Sequence, residues 1–139
     1  MLADRVRNVD CDAVISPALG GIVVGQEVGR ALGKRHIFAE KAAGGLVLRR
    51  GFKIASNEKF IVAEDVVTRG GRVQETIDIV RAHDAIVSAV GVIVDRSGDA
   101  KPNFGCPFIS LTEMNVENFP PDNLPADLAK IPAVKPGSK

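Results

Sequence analysis

Two adjacent carboxylates precede a glycine-containing turn near the middle of the chain. The stretch FIVAEDVVTRGG, residues 60–71, runs from apolar residues into Glu64 and Asp65 and then reaches Thr68 and a pair of glycines. Glycine tolerates positive φ values that turn successive N–H groups toward one point, and a following helix adds the positive end of its dipole. The turn is therefore typical of a phosphate cradle, although an ordinary strand-to-helix turn also uses glycines.

The two acids indicate what else the ligand contains. Carboxylates that faced a phosphate directly would repel it, so Glu64 and Asp65 must face another part of the same molecule. Sugar hydroxyls donate hydrogen bonds to carboxylates, and a phosphorylated sugar carries hydroxyls close to its phosphate. We therefore predict a phosphosugar site. The alternative is that one acid caps the turn and the other is solvated.

Short apolar segments alternate with helical patterns along the chain, and these elements must position the motif. Apolar runs predict strands, and apolar spacing of three and four residues predicts helices. Together they predict an α/β fold with a mostly parallel central sheet flanked by helices, whose ligands bind beyond the carboxyl ends of the strands. The strands are expected at 13–15, 36–39, 60–63, 86–94 and 108–111, the helices at 1–9, 22–32 and 71–82, and polar loops at 16–21, 40–45, 64–71 and 95–98.

The remaining segments add little structure of their own. Residues 46–54 are expected to form a short β-pair or edge element. After residue 117 the proline content rises and periodicity is lost, so residues 117–139 are expected to be an irregular extension of a single domain, 1–139.

Composition excludes several classes of function. The formal net charge is +1, which gives no global field for nucleic acid. No apolar run approaches the roughly 18 residues that span a bilayer, and the charged N-terminal stretch lacks a signal peptide, so the cytoplasm is expected. The two cysteines lack metal-type spacing and suit a reducing compartment.

The motif resembles a known family. FIVAEDVVTRGGR resembles the signature of type I phosphoribosyltransferases, in which the acids hold the ribose hydroxyls of phosphoribosyl pyrophosphate (PRPP) and the turn holds its 5′-phosphate. The segments SPALGG, FAEKAAGGLVLRRGF, VIVDRSG and PAVKPGSK narrow the resemblance to orotate phosphoribosyltransferases, over nearly the whole chain and in the same order.

The resemblance implies roles for particular residues. Lys41 and Asp65 would be catalytic, and Thr68 and Arg96 would contact orotate. Mg²⁺ would be held by PRPP, with Glu64 and Asp65 reaching it only through water. A homodimer is implied, with Lys41 acting against the pyrophosphate, in its own or the neighbouring subunit's site. The PRPP-binding set would be Ala18, Leu19, Gly20, Lys41, Glu64, Asp65, Val66, Val67, Thr68, Arg69, Gly70, Gly71 and Arg72.

Some of these residues also admit structural interpretations. Lys41 could be a solvated lysine, and Arg96 could simply pair with the neighbouring Asp95. Arg69 and Arg72 stand where the family usually has hydroxyl residues. An arginine could bind the phosphate as well or better, or its larger side chain could fill the cradle.

The front of the chain also departs from the family. The N-terminal segment that covers the base in family members, here called the hood, is expected to be absent or truncated. Two alternatives to orotate transfer therefore stay open. One is a regulator with this fold that binds the phosphosugar without turnover. The other is a transferase for a purine base, which has no carboxylate for Arg96 to bind.

Overall fold

Three helices and six strands alternate through residues 1–117 and 119–134, the part of the chain that the computed structural model describes. Short 3-10 turns at Pro121–Asn123 and Leu128–Lys130 follow the last strand. None of the helices in these residues is long and apolar enough to cross a bilayer. The helices are α1 (Leu2–Val6), α2 (Gly20–Leu32) and α3 (Gly71–Arg81), and the strands are β1 (Ala13–Pro17), β2 (Arg35–Ala42), β3 (Gly45–Leu48), β4 (Lys59–Val67), β5 (Ile86–Asp95) and β6 (Phe108–Glu113).

The strands form one sheet in the order β3-β2-β1-β4-β5-β6. All neighbouring pairs are parallel except β2 and β3, which form an antiparallel hairpin at one edge. The predicted mostly parallel α/β sheet is therefore confirmed. The β2–β3 hairpin is the edge element that the sequence placed within residues 46–54, although the strand is shorter.

Successive side chains of the central strands pack into two separate cores. In β1, Ala13 and Ile15 lie in a core with α3, whereas Val14 lies in a core with α1 and α2. The same alternation in β4 sends Phe60 and Val62 to the α3 side and Ile61 and Ala63 to the other. Because both faces are covered, these strands are apolar almost throughout, as parallel strands require.

Strand β4 continues through both acids, which corrects the predicted strand end at residue 63. It pairs with β5 as far as Val67, opposite Asp95. Strand length is set here by the neighbouring strand, which the local sequence does not reveal. Glu64 and Asp65 consequently belong to a rigid, paired strand, whereas the sequence assigned them to a loop.

The polar connection predicted at 40–45 was also wrong. Residues 40–42 extend β2, because they pair with β3 after β1 has ended at Pro17, opposite Ala39. Lys41 thus lies on a strand opposite Leu46, with only Ala43 and Gly44 left in the turn.

Helix boundaries differ from the predicted ones by smaller amounts. Helix α1 ends at Val6, where a short turn from the Val9 N–H to the Val6 carbonyl redirects the chain toward β1. Helix α2 begins at Gly20, two residues earlier than predicted, and stops at Gly33, whose φ of 66° breaks the helix as expected.

Candidate active site

A cavity of about 490 Å³ lies where the end of β4 meets the first residues of α2 and α3. It is open to solvent beside the acids and the glycine turn, at the carboxyl edge of the sheet where the sequence predicted a site. Its lining residues are Ala18, Gly20, Glu64, Asp65, Val66, Val67, Thr68, Gly70, Gly71, Arg72, Val73 and Glu75.

Helix α2 approaches the acid pair so closely that only glycine fits at its start. A Cβ atom added at Gly20 would overlap the Asp65 carboxylate, and one added at Gly21 would lie 2.8 Å from Glu64 Oε1. No side chain caps this helix, and its first turn carries no acid. The positive end of the helix dipole therefore lies directly against the two carboxylates.

The two acids differ in environment. Glu64 is buried, with 7% of its surface exposed, whereas Asp65 is half-buried. Glu64 Oε1 accepts a hydrogen bond from the Asp65 N–H at 2.9 Å, and Asp65 Oδ1 accepts one from the Val66 N–H at 2.7 Å. Burial, and secondarily the neighbouring Asp65 carboxylate, raises the pKa of Glu64 from 4.5 to about 8.

The glycine turn leads into α3 with the geometry of an anion cradle. Gly70 is the N-cap of α3, with φ of 77° and ψ of 4°, a left-handed conformation that glycine adopts without strain. No side chain caps α3 and no acid lies in its first turn. The Phe104 ring packs so tightly on the turn that a Cβ atom at Gly70 would lie 2.9 Å from its Cζ. The N-terminal N–H groups of α3 are thus left to an external acceptor or water.

The side chain of Arg72 does not fill the cradle, although it is larger than the hydroxyl residue usual at this position. Its guanidinium turns to Glu75, with Nη1 2.9 Å from Oε2 and 3.3 Å from Oε1. The same Oε2 accepts a hydrogen bond from the Leu46 N–H at 3.0 Å. Glu75 was not among the predicted site residues; its spacing of three residues from Arg72 on a predicted helix was the available signal.

Four of the predicted site residues do not line the cavity. Leu19 is exposed between Ala18 and Gly20, which do line it. Arg69 is exposed on the glycine turn, and within the described residues its guanidinium makes no hydrogen bond or ion pair. Lys41 is exposed on the β2–β3 hairpin.

The fourth, Arg96, begins the loop that follows β5. Its N–H donates to the Val67 carbonyl at 2.7 Å, which fixes it beside the end of β4. It does not pair with Asp95, which instead accepts from the Ser97 N–H and hydroxyl and lies 3.7 Å from Lys101. Burial opposes ionisation of Asp95, but the Ser97 hydrogen bonds and Lys101 outweigh it and lower its pKa. The Nε of Arg96 is buried and has no hydrogen-bond partner among residues 1–117 and 119–134.

The acid pair suits a metal ion only if a ligand supplies most of the coordination. Among the described residues, no group of three or more histidine, cysteine, aspartate and glutamate side chains is arranged to hold a metal ion. Glu64 and Asp65 together offer carboxylate oxygens at the cavity, the donor type that Mg²⁺ prefers.

The amino-acid sequence is similar to those of curated enzymes. The chain is 44% identical over 138 residues to an orotate phosphoribosyltransferase from Caldanaerobacter subterraneus subsp. tengcongensis, an alignment that covers 99% of this chain and 72% of the relative. It is 46% identical over 138 residues to an orotate phosphoribosyltransferase from Desulforamulus reducens, with the same coverage. A scan against family models found no match.

Solved structures share the fold at low sequence identity. An adenine phosphoribosyltransferase from Thermoanaerobacter pseudethanolicus superposes with a TM-score of 0.73 and 17% identity, covering 82% of this chain and 76% of that one. An orotate phosphoribosyltransferase from Aeropyrum pernix superposes with a TM-score of 0.65 and 20% identity, covering 81% and 70%. The fold is thus that of the type I phosphoribosyltransferases, and the sequence similarity shows that the chain belongs to the orotate phosphoribosyltransferase family.

Proposed function

We propose that this protein transfers the 5-phosphoribosyl group of PRPP to orotate, forming orotidine 5′-phosphate and pyrophosphate in pyrimidine nucleotide synthesis. The observation that carries the proposal is the convergence of two uncapped helix starts and a carboxylate pair on one cavity. The names of the curated relatives support orotate as the base.

Each end of the PRPP molecule has a matching surface. The start of α3, with Thr68, Arg69, Gly70, Gly71 and Arg72, would hold the 5′-phosphate through N–H groups and positive charge. Glu64 and Asp65 would accept hydrogen bonds from the ribose hydroxyls. The start of α2, with Ala18, Leu19 and Gly20, would face the pyrophosphate.

A magnesium ion is expected with the substrate. When bound, Mg²⁺ would neutralise charge on the pyrophosphate and orient it. Glu64 and Asp65 would hold it through water, since magnesium commonly keeps several waters and takes few carboxylates. Release of the Glu64 proton at neutral pH would add the second negative charge that this arrangement needs.

The reacting carbon needs placement and charge neutralisation, and the mechanism needs no protein nucleophile. The anomeric carbon develops oxocarbenium character as pyrophosphate leaves, so the rate depends on holding base and sugar in line and on stabilising the leaving group. Lys41 would supply positive charge to the pyrophosphate, from its own or the neighbouring subunit of a dimer. Asp65 would fix the ribose.

Orotate would be recognised beside the end of β4. Arg96 lies there, and a guanidinium with an unpartnered Nε is suited to a carboxylate or a paired carbonyl edge. Thr68, on the adjacent turn, would add a hydroxyl. An adenine ring offers Arg96 no carboxylate, so this residue favours orotate over a purine.

The decisive experiment follows orotate absorbance in the presence of PRPP and Mg²⁺, with adenine as the alternative base. We expect orotate consumption, and in Arg96→Ala a rise in the orotate KM of about 10- to 100-fold from loss of a charge-assisted hydrogen bond, with the PRPP KM little changed. Adenine turnover without orotate turnover would identify a purine transferase. PRPP binding without turnover of either base would identify a regulator.

A further inference from the structure

The cation proposed to hold the 5′-phosphate already has an anionic partner inside the same cavity. Arg72 and Glu75 are an i,i+3 pair on α3, with side chains 46% and 40% exposed, and both line the cavity with Thr68 and Gly70. A phosphate at the start of α3 would therefore meet the Glu75 carboxylate as well as the Arg72 guanidinium. Two anions would compete for one cation.

Glu75 has a second attachment that does not depend on Arg72. Its Oε2 accepts the Leu46 N–H at 3.0 Å, at the start of β3. A Cβ atom added at the neighbouring Gly45 would lie 3.6 Å from the same oxygen, so the hairpin backbone runs directly beside the carboxylate. Glu75 can thus lose Arg72 and still keep a hydrogen bond.

Arg72 should bind a ligand phosphate more strongly than it binds Glu75. An exposed ion pair at helical spacing changes an equilibrium by about two- to fivefold, because solvent screens it and two long side chains must be ordered. A charge-assisted hydrogen bond to a phosphate changes it by about tenfold or more. A phosphate monoester dianion that enters the cradle therefore outcompetes Glu75 for Arg72.

We propose that Glu75 is a positioning residue that holds Arg72 beside the cradle and competes with the ligand phosphate for it, so that Arg72 changes partner when phosphate binds. The inference rests on the proposed phosphate site at the start of α3. The Leu46 N–H keeps the released carboxylate on the hairpin and away from the incoming phosphate. Glu75 consequently weakens phosphate binding and favours dianionic ligands over singly charged ones.

Calorimetric titration with ribose 5-phosphate tests the exchange without relying on turnover. The proteins are the unaltered chain, Glu75→Gln, Arg72→Gln and the double variant, at low ionic strength and constant pH. Glutamine keeps an oxygen for the Leu46 N–H but removes the competing charge. Asp78→Asn is the matched control, because it removes the same charge from the same helix at an exposed residue that pairs with Gln74 and does not line the cavity.

We expect Glu75→Gln to tighten ribose 5-phosphate binding by about two- to fivefold in the chain that retains Arg72. In the Arg72→Gln background, the same substitution should have no such effect. Unchanged or weaker binding in Glu75→Gln would overturn the inference. So would an equal gain in Asp78→Asn or in the Arg72→Gln background, since the effect would then be general electrostatics.

Amide hydrogen exchange at Leu46 tests the second attachment. We expect faster exchange in Glu75→Ala and little change in Glu75→Gln, and equal exchange in both would contradict the anchoring role. If the unaltered chain bound no ribose 5-phosphate, the proposed phosphate site itself would fail. That outcome is distinct from binding that does not respond to Glu75.

Discussion

Glu64 is a buried acid whose pKa lies far above its ordinary value. Burial and the adjacent Asp65 raise its pKa to about 8, so the carboxyl keeps its proton at neutral pH in the unliganded protein. In the unfolded chain the same group ionises near its usual 4.5. Between these two pH values the folded state binds one more proton at this residue than the unfolded state does.

The sign of the resulting pH dependence follows from linkage. Because the folded state holds the extra proton, the Glu64 contribution to stability is fully present below pH 4.5 and is lost as pH rises toward 8. We expect the unfolding free energy of the unaltered chain, relative to Glu64→Gln, to fall by up to about 1.4 kcal/mol per pH unit in this window. Urea unfolding at several pH values measures it.

The control for this prediction is a substitution at an acid that contacts neither Glu64 nor Asp65. Asp99→Asn, at an exposed position in the loop after β5, should leave the pH dependence of the unaltered chain in place. A constant difference between the unaltered chain and Glu64→Gln from pH 5 to pH 8 would contradict the buried, protonated state.

At the residue scale, the sequence indicated a ligand class, which stays a prediction, and did not reveal which side chains pair with one another. The order of two acids, a hydroxyl and glycines predicts a phosphosugar site, because carboxylates accept hydrogen bonds from sugar hydroxyls and a glycine turn before a helix suits a phosphate. The Arg72–Glu75 pair was not predicted, because two charges at helical spacing are usually solvated on a surface. Only the structure shows that this pair lines the cavity and reaches Leu46.

At the scale of elements, the contact between α2 and β4 decides the shape of the site. Gly21 lies against Glu64, with an added Cβ also meeting the Ala63 carbonyl oxygen at 3.2 Å and Pro17 Cδ at 3.2 Å. A backbone oxygen and a proline ring cannot rotate away as a long side chain can. The helix therefore approaches the acids only as far as glycine permits.

We expect Gly21→Ala to lower the unfolding free energy by about 1–2 kcal/mol, since overpacking outweighs the better helix propensity of alanine. Ligand binding should weaken as well, because the helix start is pushed from the acids. Gly91→Ala is the control: its added Cβ meets nothing closer than Val6 Cγ1 at 3.4 Å, an ordinary contact. Equal losses in both variants would show that the approach of α2 is not the cause.

Element types and the ends near Gly33 and Gly71 were predictable, whereas the ends of β2 and β4 were not, for a physical reason. Apolar periodicity is local, and it predicted a strand at 60–63, a helix at 71–82 and the interruption at Gly33. The continuation of β4 to Val67 depends on β5, and that of β2 to Ala42 depends on β3. Such pairing joins residues distant in sequence and leaves no local pattern, so the acids and Lys41 were assigned to loops.

At the scale of the whole molecule, a homodimer, if formed as predicted, would give Lys41 two candidate places to act, the site of its own subunit and that of its partner. Its strand position, outside the cavity lining of its own subunit, agrees with a role in the partner's site. We expect Lys41→Ala and Asp65→Asn each to lose about 100-fold in kcat, through lost leaving-group and ribose contacts. Mixed under conditions that exchange subunits, they should recover roughly a quarter of the unaltered activity, because half the dimers then hold one complete site.

In the matched control, the Lys41→Ala variant is mixed with a double variant that carries both Lys41→Ala and Asp65→Asn. Mixtures with that protein contain no Lys41 and should stay inactive. Recovery in the first mixture alone places Lys41 in the partner's site. If neither mixture recovers while co-purification through a tag on one variant shows exchanged dimers, Lys41 acts within its own subunit.

The pairing of β1 with β4 has a consequence for how the protein acquires its site. Val14 lies opposite Ile61, so the segment between them, including α2 and the whole β2–β3 hairpin, is a loop closed by that contact. Closing this loop loses chain entropy before the contacts between β1 and β4 can form, and this slows folding. In the finished fold α2 lies against the acids of β4, with Gly20 beside Asp65 and Gly21 beside Glu64. A partly folded chain that holds the hairpin alone has no place for a sugar phosphate, so substrate in the cell stabilises only the finished fold.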